Sequence, residues 1–264
     1  MGKTSLLQKI DHPAVNAAIF FPRPASGLPA PLGSEDLMIP VGDSVTVAAR
    51  YHPYDLSLPT VLHFHGNGEI VPDYDAIALA FHSAGASLVS ADYRGYGSST
   101  GSPSVSSLVE DAPLILDHVI AFLKERGHTG PLVVMGRSLG SAPAIELAST
   151  RGRDLAGLIV ESGFARTPPL LALFGVSLDS LGLRDMSGMD NEDKMANVRM
   201  PVLVLHAELD VLLPPWNGER IHERAASDEK SLVMIPNADH NNIMAFGGPL
   251  YWGAIAEFLT TLRK

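Results

Sequence analysis

From residue 59 onward the chain alternates short, continuous apolar runs with stretches of helical spacing. The apolar runs cover residues 59–64, 86–91, 132–135, 155–160, 201–205 and 231–235. Runs of this length without polar alternation are what strands buried on both faces require. Between them, residues 73–84 place Tyr74, Ile77 and Phe81 on one helical face, and residues 105–126 do the same with Leu108, Leu116, Val119, Ile120 and Leu123, with Gly127 as the stop. Further helices are predicted over 142–148, 216–226 and 250–262, the last with Trp252, Ile255, Phe258 and Leu259 inward. Upstream, residues 35–40 and 44–51 read as a hairpin around Val41-Gly42-Asp43. Residues 11–35, rich in Pro and Gly, are expected to wrap the surface without regular structure.

This pattern predicts an α/β fold: a mostly parallel central sheet with helices on both faces, in one domain over residues 1–264. Residues 163–200 break the rhythm with apolar clusters between Gly and Pro breaks, and are expected to form a small cap insertion. The polar, Gly-rich punctuation falls after Phe64, Ala91, Met135, Leu205 and Ile235. In such sheets those carboxyl ends gather the functional groups, so one site can collect all five loops.

Composition narrows the chemistry. The chain has 264 residues, a net charge of −10 and no cysteine. The acidic balance argues against nucleic-acid or anionic-membrane partners. Cysteine nucleophiles, disulfides and thiolate metal sites are excluded, and the same absence fits a cytoplasmic setting. No apolar run is long enough for an integral membrane segment. Gly2-Lys3-Thr4 lacks the strand and first glycine of a phosphate loop, and Leu6 stands where myristoylation would want Ser or Thr.

The apolar run 132–135 leads into Gly136-Arg137-Ser138-Leu139-Gly140, and a helix follows. A serine on such a strand–turn–helix corner is a candidate nucleophile, with glycines where side chains would crowd it. A serine hydroxyl needs a base to take its proton and a third group to orient that base. Asp210, in the loop after the run at 201–205, and His240, after the last strand, follow Ser138 in the order Ser, Asp, His. Glu208 and Glu161 compete with Asp210 for the acid role, Glu161 from the end of the preceding strand. Asp239, adjacent to the base, reads as structural or solvated.

Acyl transfer also needs donors for a developing oxyanion. The backbone amide of Leu139 is one candidate. His65-Gly66-Asn67-Gly68 supplies a second, preferably from Asn67. His63 and His65 form H-x-H without a third ligand at suitable spacing, which favours packing over metal. Arg94 is read first as an arginine tying loops together behind the site, with contact to a substrate carboxylate or phosphate as the alternative. For Arg137 the sequence leaves both substrate and solvent open.

Together, His65-Gly-Asn-Gly68, Asp92-Tyr-Arg-Gly-Tyr-Gly-Ser98, Gly136-Arg-Ser-Leu-Gly140, Asp210 and His240 resemble the α/β-hydrolase superfamily, over essentially the whole chain from residue 35. Within it they look like the branch holding serine-aminopeptidase-like and depalmitoylating hydrolase-domain proteins. One departure is Ala207, where the family usually places Gly. The resemblance implies Ser138 as nucleophile, His240 as base and Asp210 as acid, without metal or cofactor. The expected substrate is a small-molecule acyl ester or thioester, with an amidase or peptidase as the alternative and a non-catalytic binding protein as a more distant one. Gly68, Phe164, Leu170, Phe174 and Met186 are the pocket candidates, the apolar ones suiting an acyl group.

Overall fold

A computed structural model describes residues 10–27, 29–177, 179 and 190–263. Its centre is an eight-stranded sheet in the order β1-β2-β4-β3-β5-β6-β7-β8. The strands are β1 (Glu35–Gly42), β2 (Val45–His52), β3 (Thr60–Phe64), β4 (Ser87–Ala91), β5 (Leu132–Arg137), β6 (Gly157–Glu161), β7 (Val202–Ala207) and β8 (Lys230–Ile235). β1 and β2 are an antiparallel hairpin at one edge, and β2 pairs antiparallel with β4; every later pairing is parallel. The α/β class read from the apolar runs is therefore the observed one.

The helices are α1 (Pro13–Ile19), α2 (Ala78–Ser83), α3 (Val105–Glu125), α4 (Ser141–Thr150), α5 (Thr167–Leu173), α6 (Asn191–Met195), α7 (Trp216–Arg224) and α8 (Ile243–Thr261). Strand residues alternate between two cores. In β5, Val134 packs in the core that holds Leu116 of α3 and Ile145 of α4. Val133 and Met135 face the opposite core, with Phe81 of α2 and Tyr251 and Ile255 of α8. Burying each such side chain contributes about 1.5–3 kcal/mol, which is why a continuous apolar run and not an alternating one encodes these strands.

α3 shows how sequence sets an element's limits. Ser104 caps it, its hydroxyl accepting from the Ser107 amide. At the other end Gly127 takes φ +78, and the His128 amide turns back to the Leu123 carbonyl. No helix among the described residues is long and apolar enough to cross a membrane.

Two expectations need correction and a third an addition. Residues 11–35 are not wholly irregular: Pro13 opens α1, and Val15, Ile19 and Phe20 are buried in the main core. Proline suits a first helical turn, where its missing N–H is not needed. The predicted helix over 73–84 is instead a 3₁₀ turn, Val71–Tyr74, followed by the short α2. There the Asp73 carboxylate draws the Ile70 amide to it at 3.0 Å, closing a tight turn before the helix starts. The C-terminal helix expected over 250–262 is present, and the kink at Gly248 (φ 40, ψ −121) before Pro249 separates it from a further helical stretch that begins at Ile243. Proline lacks the N–H needed to continue the ladder.

The chain leaves β3 toward β4 on one side and returns through β5 on the other. β3 and β5 end side by side, with Phe64 paired to Gly136. A crevice opens at such a switch point, and the loops carrying Asn67 and Ser138 flank it.

Candidate active site

Ser138 follows β5 directly and is held at φ 51, a left-handed conformation that is costly for a residue with a side chain. The corner closes because two glycines let backbone meet backbone. A Cβ on Gly136 would stand 2.2 Å from the Gly140 carbonyl oxygen, and one on Gly140 would stand 2.1 Å from that of Phe64. The Ser141 hydroxyl ties the turn by donating to the Ser138 carbonyl at 2.7 Å. The hydroxyl of Ser138 is thereby lifted into the crevice at the start of α4.

His240 comes from the loop after β8, its Nε2 2.9 Å from Ser138 Oγ. Its Nδ1 lies 2.7 Å from Asp210 Oδ2. The second oxygen of Asp210 accepts from the amides of Leu212 and Leu213, at 3.0 and 2.7 Å. Two backbone donors hold that carboxylate, so it presents an acceptor to the ring. Nδ1 then carries the proton and Nε2 is free to accept from the serine. All three side chains are buried. The loop of Asp210 is pinned by His206, whose Nε2 donates to the Leu213 carbonyl at 2.7 Å; burial pushes the His206 pKa down, favouring the neutral ring.

The rival acids are engaged elsewhere. Glu161, fully buried, accepts from Arg137 Nε at 3.0 Å and from the Tyr251 hydroxyl at 2.6 Å. Burial pushes its pKa up, against the opposing pull of Arg137 and Tyr251. Glu208 accepts from the Asn237 amide. Asp239 is exposed and accepts from the amides of Asn241 and Asn242, a turn-capping role.

A cleft of about 340 Å³ adjoins this chain of groups. It is lined by Ser138, His240, Asn67, Gly68, Leu139, Leu170 and Phe174, which the sequence singles out, and also by Ile19, Phe21, Leu212 and Leu213, which it does not. Phe164 lies instead on a smaller apolar cavity of about 50 Å³ that shares Ile19, Leu139 and Leu170 as its wall with the cleft. Met186 and most of the central part of the expected cap lie outside the described residues.

The missed residues have identifiable reasons. Ile19 and Phe21 belong to the amino-terminal segment, where no periodicity betrays a site, and Phe21 meets Phe174, its neighbour in the cleft lining, with ring centroids 6.1 Å apart. Leu212 and Leu213 accompany Asp210 because their amides bind its carboxylate.

Other candidates resolve into structure. Arg94 grips Asp111 with two bonds, at 2.7 and 2.6 Å, and donates to the Val41 carbonyl at 3.1 Å. His63 packs against Tyr74 and sits 3.3 Å from the Ser90 hydroxyl, while His65 faces Asp92 at 3.1 Å. Among the described residues, no three His, Asp or Glu side chains stand where they could hold a metal.

The chain is also similar to known proteins in sequence and fold. A family model described as serine aminopeptidase, S33, matches residues 57–184. The chain is 28% identical to the alpha/beta hydrolase domain-containing protein WAV2 of Arabidopsis thaliana, over 85% of this chain and 78% of that protein. It is 31% identical to an uncharacterized protein of Mycobacterium tuberculosis, over 90% of this chain and 83% of that one. Among solved structures, the esterase Pf2001 of Pyrococcus furiosus superposes with a TM-score of 0.74 at 18% identity, over 92% of this chain and 99% of that chain.

Proposed function

Starting from a chain that belongs to the α/β-hydrolase superfamily, we propose that it is a serine hydrolase cleaving carboxylic esters or thioesters through an acyl-enzyme. The observation that carries this reading is the chain of hydrogen bonds Ser138 Oγ to His240 Nε2 and His240 Nδ1 to Asp210, at 2.9 and 2.7 Å.

Ser138 Oγ attacks the acyl carbon while its proton passes to His240 Nε2, and Asp210 stabilises the imidazolium that forms. The negative charge on the carbonyl oxygen is taken by the amides of Leu139 and Asn67, both at the cleft. As the tetrahedral species collapses, His240 delivers the proton to the departing alkoxide or thiolate. A water then attacks the acyl-enzyme with His240 again as base, releasing the acid and regenerating Ser138.

Substrate class rests on the walls. Ile19, Phe21, Leu170, Phe174 and Leu212 make one side of the cleft apolar, which suits an acyl chain. The fold neighbour from Pyrococcus furiosus is described as an esterase, in keeping with that choice. The description of the matching family names an aminopeptidase, whose substrate brings a free ammonium group that needs a carboxylate. Among the described residues the acid lining this cleft is Glu69, already engaged by Arg137, the Gly66 amide and the Tyr74 hydroxyl, so esters are favoured over peptides. The cysteine-free composition supports a cytoplasmic setting.

The test is labelling by a fluorophosphonate together with a chain-length series of chromogenic esters, matched amides and Ser138→Ala as control. Labelling at Ser138, and ester turnover that Ser138→Ala abolishes, are expected. Full ester hydrolysis by Ser138→Ala, or absence of label on folded protein, overturns the reading; preference for the amides replaces it with an amidase.

A further inference from the structure

We propose that Arg137 is a positioning residue whose guanidinium sets the spacing between the nucleophile, the base and the oxyanion loop. The inference rests on the serine-hydrolase reading for its kinetic part and on geometry alone for the rest.

Arg137 immediately precedes Ser138 and is the last residue of β5, so any shift of its side chain is felt at the nucleophile. It does not face substrate as a free cation. It is buried, and its three nitrogens serve three separate segments. Nε donates to Glu161 at the end of β6, at 3.0 Å. Nη2 donates to the backbone carbonyl of His240 itself, at 2.9 Å. Nη1 donates to Glu69, in the loop after β3.

Glu69 continues the connection. Its other oxygen accepts from the Gly66 amide at 2.6 Å and from the Tyr74 hydroxyl at 2.8 Å. Gly66 is the residue before Asn67, so the route runs from the base, through Arg137 and Glu69, to the loop that supplies the second oxyanion amide. A Cβ on Gly66 would lie 2.6 Å from Arg137 Nη1, so a side chain there would displace the guanidinium. The anchors are themselves fixed, Glu161 by the Tyr251 hydroxyl at 2.6 Å.

Stability alone is a poor explanation for such an arrangement. One arginine with two buried or half-buried carboxylates keeps a net negative charge, and well-packed apolar groups would be as stable or more so. What the planar fork adds is geometry: donors in fixed directions, which a lysine cannot reproduce. Since a misplacement of about 1 Å at a reacting group can lower a rate by about 100-fold, a rigid spacer beneath these three loops bears on kcat more than on binding.

The experiment compares wild type with Arg137→Lys, which keeps the charge and loses the fork, and with Glu69→Gln, at the half-exposed end of the cluster. Each folded protein is examined by steady-state kinetics per titrated serine and by the low-field proton resonance of the His240 Nδ1–H. For Arg137→Lys, kcat is expected to fall roughly 10- to 100-fold with KM within about threefold, and the resonance to shift or broaden. Glu69→Gln is expected to move both in the same direction by less. Unchanged kcat per titrated serine with an unchanged resonance overturns the proposal. If Arg137→Lys does not fold, Glu69→Gln decides by the same two readouts. If wild type neither labels nor hydrolyses, the serine-hydrolase reading fails, while the resonance still reports whether Arg137 holds His240.

Discussion

The backbone amide of Phe21 donates to the side-chain oxygen of Asn67 at 3.0 Å, joining an amino-terminal segment to the loop beside Ser138. Asn67 returns the contact by donating through its side-chain nitrogen to the Ile19 carbonyl, and the Tyr96 hydroxyl also donates to its oxygen, at 2.7 Å. Arg23 adds a bond to the Gly68 carbonyl at 2.7 Å. The loop whose amide is assigned to the oxyanion is thus held in part by Ile19, Phe21 and Arg23, which lie outside the matched family region.

Asn67→Ala keeps the backbone amide and removes this clamp. Losing the shared hydrogen bonds should destabilise the protein by about 1–3 kcal/mol and lower kcat by about 10-fold through a looser donor. Urea unfolding and steady-state ester kinetics check the two parts separately. An unchanged kcat would mean that the amide is positioned without the side chain.

Phe21→Ala opens the cleft wall beside Phe174 and leaves the hydrogen-bonded groups in place. The expected outcome is a raised KM for longer acyl esters with kcat on short ones nearly unchanged, measured across a chain-length series. Equal effects at every chain length would remove Phe21 from the acyl wall.

Asp210→Asn retains shape but offers an amide in place of the charge, which misorients the His240 ring and no longer supports its cation. A fall in kcat of about 10,000-fold is expected, with near-wild-type circular dichroism. A loss below about tenfold would hand the acid role to another group.

Gly136→Ala places a methyl group 2.2 Å from the Gly140 carbonyl oxygen. The strand and the turn must then separate, and a destabilisation of about 3 kcal/mol or more is expected. Chemical denaturation measures it, and a change of a few tenths would contradict the tight corner described here.

Stability should also fall in mild acid. Burial, aided by nearby His65 and Arg137, pushes the pKa of His63 well below its ordinary value of 6.5, and burial also lowers that of His206. Among the described residues His63 Nε2 and His206 Nδ1 have no hydrogen-bond partner, so neither ring is ready to donate from both nitrogens. The unfolded chain therefore binds protons that the folded one does not as pH drops below 6.5. Each histidine then removes up to about 1.4 kcal/mol per pH unit until its folded pKa is reached. His63→Phe should flatten this slope in urea titrations between about pH 5 and 8; an unaltered slope would exclude His63 as a source.

The apolar runs and the glycines around Ser138 were sufficient to read the parallel sheet and the candidate nucleophile, because both are encoded locally. A strand buried on both faces needs continuous apolar residues, and a strained corner needs residues without side chains. The order Ser138, Asp210, His240 was likewise legible, since each follows a recognisable strand end. Tertiary structure alone decided which acid meets the imidazole: Glu161 ends β6 and Asp210 lies in the loop after β7, and only the crossing of side chains assigns Glu161 to Arg137 and Tyr251 and Asp210 to His240. It alone made Arg137 an internal tie and brought Ile19 and Phe21 to the cleft. Such contacts join residues far apart in the chain, and they leave no period or local composition by which a linear pattern could show them.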